Sequence, residues 1–175
     1  MPSERKVLLH VYDCTTTASG AASPAIARLN AVTRELWLGG IFHGAVELEH
    51  TGREWSFGYC PEGSGVYDCP AKLNPLYRFR ESIVLGSTSL GLSQVSLMIC
   101  QLQRLWQGTT YDLLARNCCH FCEQFSVQLG GSKLPGWLNR FANAADSALS
   151  WTQAAHQQSQ FMQVAGSNSQ PPLDE

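Results

Sequence analysis

The spacing of apolar residues in this chain changes once, and that change bounds what it can fold into. Up to about residue 88 the apolar runs are short and roughly alternating: "KVLLHVYD" (6–13), "IFHGAVELEH" (41–50), "EWSFGYC" (54–60) and "YRFRESIVLGST" (77–88). Period two is the mark of a strand, because successive side chains point to opposite faces. The second and third runs are joined by His50, Thr51 and Gly52, which predicts a hairpin. After residue 88 the period becomes helical. "LSQVSLMICQLQRLWQG" (92–108) places Val95, Met98, Ile99, Leu102, Leu105 and Trp106 on one face, with Gly108 as the stop. "NCCHFCEQFSVQLGG" (117–131) sets Cys118, Phe121, Cys122, Phe125 and Leu129 on a second stripe closed by two glycines, and "LPGWLNRFANAADSALSW" (134–151) predicts a third helix with Pro135 in its first turn. Strands first and helices last imply a single α+β domain.

The remaining segments fill in around that plan. "CTTTASGAASP" (14–24) predicts a loop, and "AIARLNAVTRELWLGG" (25–40) a short helix ended by Gly39 and Gly40. "PEGSGVYDCPAKLNP" (61–75) is rich in Gly and Pro and predicts a long loop, a length more often functional than idle. We place the domain at 5–150. Residues 151–175 are then a helix end and a disordered tail, since from about Gln157 the chain is rich in Gln and Ser. The last helix, with Trp137, Leu138, Phe141, Ala145 and Leu149 along one face, is expected to pack on its own domain, a second copy being the other occupant.

Composition narrows the function. With 44% hydrophobic residues in 175, the chain can bury a core. A net charge of −2 gives no basic surplus for a phosphate backbone, so nucleic acid is not the expected partner. No run reaches the roughly 18 apolar residues of a membrane span, and the opening run, broken by His10 and Asp13, is too short and polar for a secretory signal. A cytoplasmic setting, with the nucleus also open to it, is expected, and there the seven cysteines stay reduced rather than forming a disulfide framework.

Three of those cysteines crowd into "RNCCHFCEQF" (116–125). A zinc site needs four N or S ligands, commonly two pairs, and no second pair at ligand spacing exists, so no metal and no cofactor is expected. "CHFC" (119–122) has the Cys-x-x-Cys spacing of a redox motif but not the strand-first context. For Cys122, on the apolar stripe, core packing is the simplest account. Cys118 differs by position. Asn117 is a favoured N-cap, which puts Cys118 in the first helical turn, where free amides and the dipole favour a thiolate and could hold an oxyanion. A thiol there needs a histidine as base and acid. His10 lies inside a strand, His50 in a turn, and His156 near the tail. His120 projects about 200° round the helix from Cys118. His43 opens a strand and is followed by Gly44, a residue that leaves space for a close approach of backbone or substrate. The candidates are therefore His43 and Cys118.

These same stretches, "GGIFHGAVELEHTGREWSFG", "YRFRESIVLGST" and "YDLLARNCCHFCEQFSVQLGGSKLPGWLNRFA", strongly resemble the PPPDE family, in the same order from about Lys6 to Phe141. The family groups permuted papain-fold thiol peptidases and includes desumoylating isopeptidases. The resemblance implies a permuted papain-like fold, antiparallel strands packed with helices, and a Cys–His dyad. Its histidine falls in "H-x-x-V-E", here His43 to Glu47, and its cysteine follows Asn in "N-C-N-x-F", here Asn117 to Phe121. Cys119 stands where the family has Asn, which makes it the alternative nucleophile; Cys118 is preferred because it follows Asn117 and keeps its distance to Phe121. The segment 14–30 looks like an insertion, and the loop from Gly58 to Pro70 is expected to border the cleft. The implied activity is removal of ubiquitin or a ubiquitin-like modifier such as SUMO from lysine. The same dyad would also serve a protein S-acyl thioesterase, and an idle binding module would keep the fold alone.

Overall fold

A computed structural model of the chain describes residues 4–14 and 42–139. The elements are β1 (Arg5–Asp13), β2 (Phe42–Leu48), β3 (Arg53–Phe57), β4 (Val66–Pro70), β5 (Arg78–Thr88), α1 (Leu92–Leu105), a short 3-10 turn (Gly108–Thr110) and α2 (Cys118–Gln128). The strands form one five-stranded sheet in the order β4-β3-β2-β1-β5, with every neighbour antiparallel. The architecture is α+β, as the change of period implies. The His50–Gly52 hairpin forms with both His50 and Gly52 at positive φ.

Alternation sorts the strand residues into two faces. Val7, Leu9 and Val11 of β1, Val46 and Leu48 of β2 and Phe57 of β3 share a core with Phe121, Cys122, Phe125 and Leu129 of α2. Phe57 and Phe121 stand 6.3 Å apart, and Trp55 meets Phe125 edge-on at 6.3 Å. Burying side chains of this size drives the docking of α2 on the sheet. The opposite face carries His10, Tyr12, His43, Glu47, Glu54 and Ser56, all buried. β1 alternates only loosely in sequence for this reason: its polar positions are covered too, and each is hydrogen-bonded. His10 lies 2.7 Å from Glu47 and 2.8 Å from Ser82, and the Tyr12 hydroxyl donates to Glu54 at 2.6 Å. Unpaired, such groups would cost several kcal/mol each.

Three expectations are corrected. The segment 61–75 is not all loop, because Val66–Pro70 pairs with β3 as an edge strand. Its Gly-rich approach masks the pattern, and Pro70 is tolerated at the end of an edge strand. Leu105 is 62% exposed, and Trp106 takes the inward position instead, 4.7 Å from Phe57. Gly108 does not stop α1, which is capped at Trp106; it begins the 3-10 turn. Of the third predicted helix, residues 136–139 form a turn and the rest lies outside the described residues, as do the predicted helix at 25–40, nearly all of 14–30, His156 and the tail.

The 58–65 stretch is tied down at several points. Gly58 N–H donates to Gly65 O, Gly65 N–H to Trp106 O and Gly108 N–H to Gly63 O, at 2.9 to 3.0 Å. A Cβ on Gly65 would sit 2.6 Å from the Phe57 ring and 2.9 Å from Gly108 Cα, and closer still to Gly58 O. Gly65→Ala should therefore cost about 1–3 kcal/mol in urea unfolding, whereas Gly136→Ala, with nothing within 4 Å of its Cβ, should change stability by less than about 0.5 kcal/mol. Equal stabilities for the two variants would show that the 58–65 segment yields freely.

Candidate functional site

α2 starts where it does because Asn117 caps it. The Asn117 Oδ1 accepts from the amides of Cys119 (2.9 Å) and His120 (3.2 Å), and the Asn117 amide donates to His120 Nδ1 at 3.1 Å, closing a capping box. The other end of the same side chain donates to Leu113 O (2.8 Å) and Asn139 Oδ1 (3.0 Å). The preceding segment is held in turn. Asp112 Oδ1 accepts from the amides of Leu114 and Ala115, and the Arg116 guanidinium lies 4.1 Å over the Trp106 ring. Cys118 is thus presented at the first helical position.

His43 comes from the start of β2 and is 4% exposed. Its ring stacks on Tyr77 with centroids 4.4 Å apart and lies between Tyr77, Tyr67 and Tyr12. Its Nε2 is 3.0 Å from Ser56 Oγ and 3.0 Å from Tyr67 Oη. The same ring lowers the pKa of the Cys118 thiol, by its charge and by hydrogen bonding. With Nε2 taken, Nδ1 is the nitrogen left for the sulfur. The two candidates chosen from sequence, some 75 residues apart in the chain, are therefore close enough for His43 to act on the Cys118 thiol.

The thiols near this point are not alike. Cys118 is held well below the usual thiol range, first by a hydrogen bond with the Cys119 thiol, then by the charge and hydrogen bond of His43 and by the Gly44 backbone; these outweigh its burial. Cys119 moves the opposite way, because it donates to Cys118 and is buried beside a negative sulfur. Burial also raises Cys122 and Cys14. Cys69 is pushed up to about 12 by burial and by Glu54. Among the described cysteines with shifted thiols, Cys118 alone moves toward the thiolate, the reactive form.

A cavity of about 710 Å³ opens beside His43, walled by Phe57, Tyr67, Tyr77 and Tyr111 and rimmed by Tyr59 and Leu76. The Gly58–Gly65 segment lines it, as expected for a cleft border. Cys118 is 5% exposed and does not line this cavity. A second cavity of about 150 Å³ touches Cys119, His120 and Asn139. Among the described residues, no group of three or more His, Cys, Asp or Glu side chains is arranged to hold a metal ion.

The other described histidines are elsewhere. His120 serves the Asn117 cap and Asn139, His10 pairs with Glu47, and the His50 side chain is 85% exposed. Gly44 leaves room for neither backbone nor substrate: its open side meets Cys122, Leu9 and Leu138 side chains in ordinary contact. Sequence reasoning missed Ser56, Tyr67 and Tyr77. Ser56 was discoverable, since it sits between Trp55 and Phe57 and so faces His43's side of the sheet. Nothing local marked the two tyrosines, which arrive from β4 and the approach to β5.

Two outcomes follow from this geometry. Because its pKa is lowered, Cys118 keeps its thiolate to lower pH, so its iodoacetamide alkylation should reach half-maximal rate well below the ordinary thiol value of about 8.5, read site by site by mass spectrometry; a midpoint at or above that value contradicts the assigned direction. Asn117→Ala should cost about 1–2 kcal/mol in unfolding free energy and move that midpoint upward.

The family profile described as "PPPDE putative peptidase domain" matches residues 5–159. A DeSI-like protein of Arabidopsis thaliana is 40% identical over 108 residues, 61% of this chain and 47% of that protein. The desumoylating isopeptidase 1 homolog of Caenorhabditis elegans is 36% identical over 113 residues, 62% of this chain and 33% of that protein. The DeSI-like protein sdu1 of Schizosaccharomyces pombe is 34% identical over 141 residues, 78% of this chain and 64% of that protein. The matches thus span from a third to just under two thirds of those relatives' lengths. With nearly its whole length matched by the profile, the chain belongs to the PPPDE peptidase family.

Proposed function

We propose that this chain is a cysteine-type isopeptidase with a permuted papain-like fold, its peptidase domain at 5–150, which releases ubiquitin or a ubiquitin-like modifier such as SUMO from lysine. The observation that carries the reading is a Cys118 thiol at a capped helix start whose pKa is lowered by the neighbouring Cys119 thiol and by the His43 ring. The name of the Caenorhabditis elegans relative, a desumoylating isopeptidase 1 homolog, supports the substrate class. So does the restricted access to Cys118: a tail ending in glycines is slim enough to reach a sulfur this enclosed.

The chemistry runs as acyl transfer. Cys118 Sγ bonds to the carbonyl carbon of the modifier's last residue, and His43 Nδ1 holds the thiol proton. The oxyanion of the tetrahedral intermediate is held by the Cys118 backbone N–H, since the Cys119, His120 and Phe121 amides are taken by Asn117. The C–N bond to the lysine breaks as His43 returns the proton to the leaving amine. Water, deprotonated by His43, then attacks the thioester and frees the modifier carboxylate and the Cys118 thiol. Cys119, with its thiol disfavoured as an anion, is the weaker nucleophile.

A second reading, a protein S-acyl thioesterase, draws on the aromatic-walled cavity beside His43, which has the size and character to accept an acyl chain. A thioester needs no more than the same two groups. The test uses a modifier bearing a C-terminal electrophile and, in parallel, an acyl-thioester substrate. The modifier probe should label Cys118; Cys118→Ser should abolish labelling and Cys119→Ser retain it, and His43→Ala should slow turnover roughly 10²–10⁴-fold. Turnover of the acyl-thioester alone selects the second reading. Labelling that survives Cys118→Ser removes the nucleophile assignment, and no reaction with either probe leaves a binding module.

A further inference from the structure

We infer that Ser56 is a positioning residue for His43: it dictates which ring nitrogen carries the proton and so turns the accepting nitrogen toward Cys118. This rests on the His43–Cys118 reading above. The argument is one of proton counting. Ser56 is 1% exposed, and its Oγ lies 2.6 Å from Gly44 O and 3.0 Å from His43 Nε2. A hydroxyl has one proton, and a carbonyl oxygen can only accept. The proton goes to Gly44 O, the shorter contact and the one with no alternative. Toward His43, Ser56 then presents only a lone pair, so Nε2 must be the N–H of the ring. A neutral imidazole has one donor and one acceptor, and Nδ1 is left as the acceptor that faces the thiol.

The other neighbours of Nε2 agree in direction. Leu76 N–H donates to Asn74 Oδ1 at 2.9 Å, which fixes the orientation of that amide, so Asn74 Nδ2 donates to Tyr67 Oη at 3.3 Å. Tyr67 Oη keeps a lone pair for Nε2–H at 3.0 Å. The ring proton therefore faces two acceptors, Ser56 Oγ, whose own proton is committed to Gly44 O, and Tyr67 Oη. The same arrangement suits the imidazolium, which donates from both nitrogens, to Ser56 on one side and the Cys118 thiolate on the other.

The local backbone shows why a serine serves here. The β2–β3 pairing runs through Val46↔Trp55 and Glu47↔Glu54. Beyond it, the Gly44 carbonyl is taken by the Ser56 side chain, while the Gly44 backbone on the other side helps hold the Cys118 sulfur. Gly44 thus links the group that orients the base to the group the base serves.

The test compares the full chain with Ser56→Ala and Ser56→Thr and reads three quantities. In Ser56→Ala the Cys118 alkylation midpoint should rise by about one pH unit, the loss of one charge-assisted hydrogen bond to the imidazolium, and labelling by the modifier probe at neutral pH should slow roughly tenfold with modifier binding unchanged. Ser56→Thr, which keeps the hydroxyl, should restore both. The third quantity is the ¹⁵N shifts of the His43 ring in Cys118→Ser, where no thiolate holds a second proton: they should report the Nε2–H tautomer, and adding Ser56→Ala should populate Nδ1–H. An unchanged midpoint and rate in a folded Ser56→Ala overturn the inference. So does an Nδ1–H tautomer in Cys118→Ser alone, a measurement that stands even if Ser56→Ala fails to fold. Failure of the underlying reading looks different, since there Cys118→Ser or His43→Ala would leave probe labelling intact.

Discussion

The oxygen of one side chain, Asn117, on two backbone amides sets the geometry from which the site follows. By accepting from Cys119 and His120, it ends the preceding turn and starts α2 at Cys118. Starting the helix one residue later would put Cys119 in that first position. The rotation of α2 is set independently by its apolar stripe, with Phe121, Cys122 and Phe125 buried against β2 and β3. Cap and stripe together decide where the Cys118 sulfur emerges, and it emerges at the start of β2, beside His43. A helix held only by its stripe would be free to fray at the end where the sulfur sits.

The face of the sheet that carries His43 is unusual in being both polar and buried. His10, Tyr12, Glu47, Glu54 and Ser56 are buried there, and each is bonded. Glu54 accepts from Tyr12, from the Cys69 thiol and from the Lys72 amide, tying β1, β3, β4 and the turn after β4 together. Glu47 accepts from the Gly52 amide as well as facing His10, which holds the hairpin next to β2. Networks of this kind are costly unless complete, and complete ones specify a single arrangement. Their low dielectric also strengthens the interaction between His43 and a neighbouring thiolate.

Enclosure has a consequence for selectivity. The nucleophilic candidate is almost covered, while the base lines an aromatic cavity open to solvent. A chain entering this cavity meets Phe57, Tyr67, Tyr77 and Tyr111 beside His43.

Local chemistry made part of this site readable in advance. Asn before a helical stripe is a cap wherever it occurs, so the start of α2 and the special standing of Cys118 were legible, as were the α2 core stripe, the hairpin at His50–Gly52 and the α+β class. The likeness of three separated stretches to one family singled out His43 from five histidines. Other features depend on partners distant in sequence. β4 became a strand because β3 offered it a ladder, against its own Gly and Pro surroundings. Leu105 is exposed and Trp106 buried because the end of α1 unwinds onto the 58–65 segment, which no periodicity encodes. The Ser56 proton points where it does because the strands of β2 and β3 part beside Gly44 and leave a carbonyl to be satisfied. By itself, then, the sequence determined the caps, the stripes and the residue types able to do the chemistry, since these follow from neighbours along the chain. Which thiol is drawn toward its anion, and which groups surround the His43 ring, were decided only when the fold brought distant hydrogen-bond donors and acceptors together.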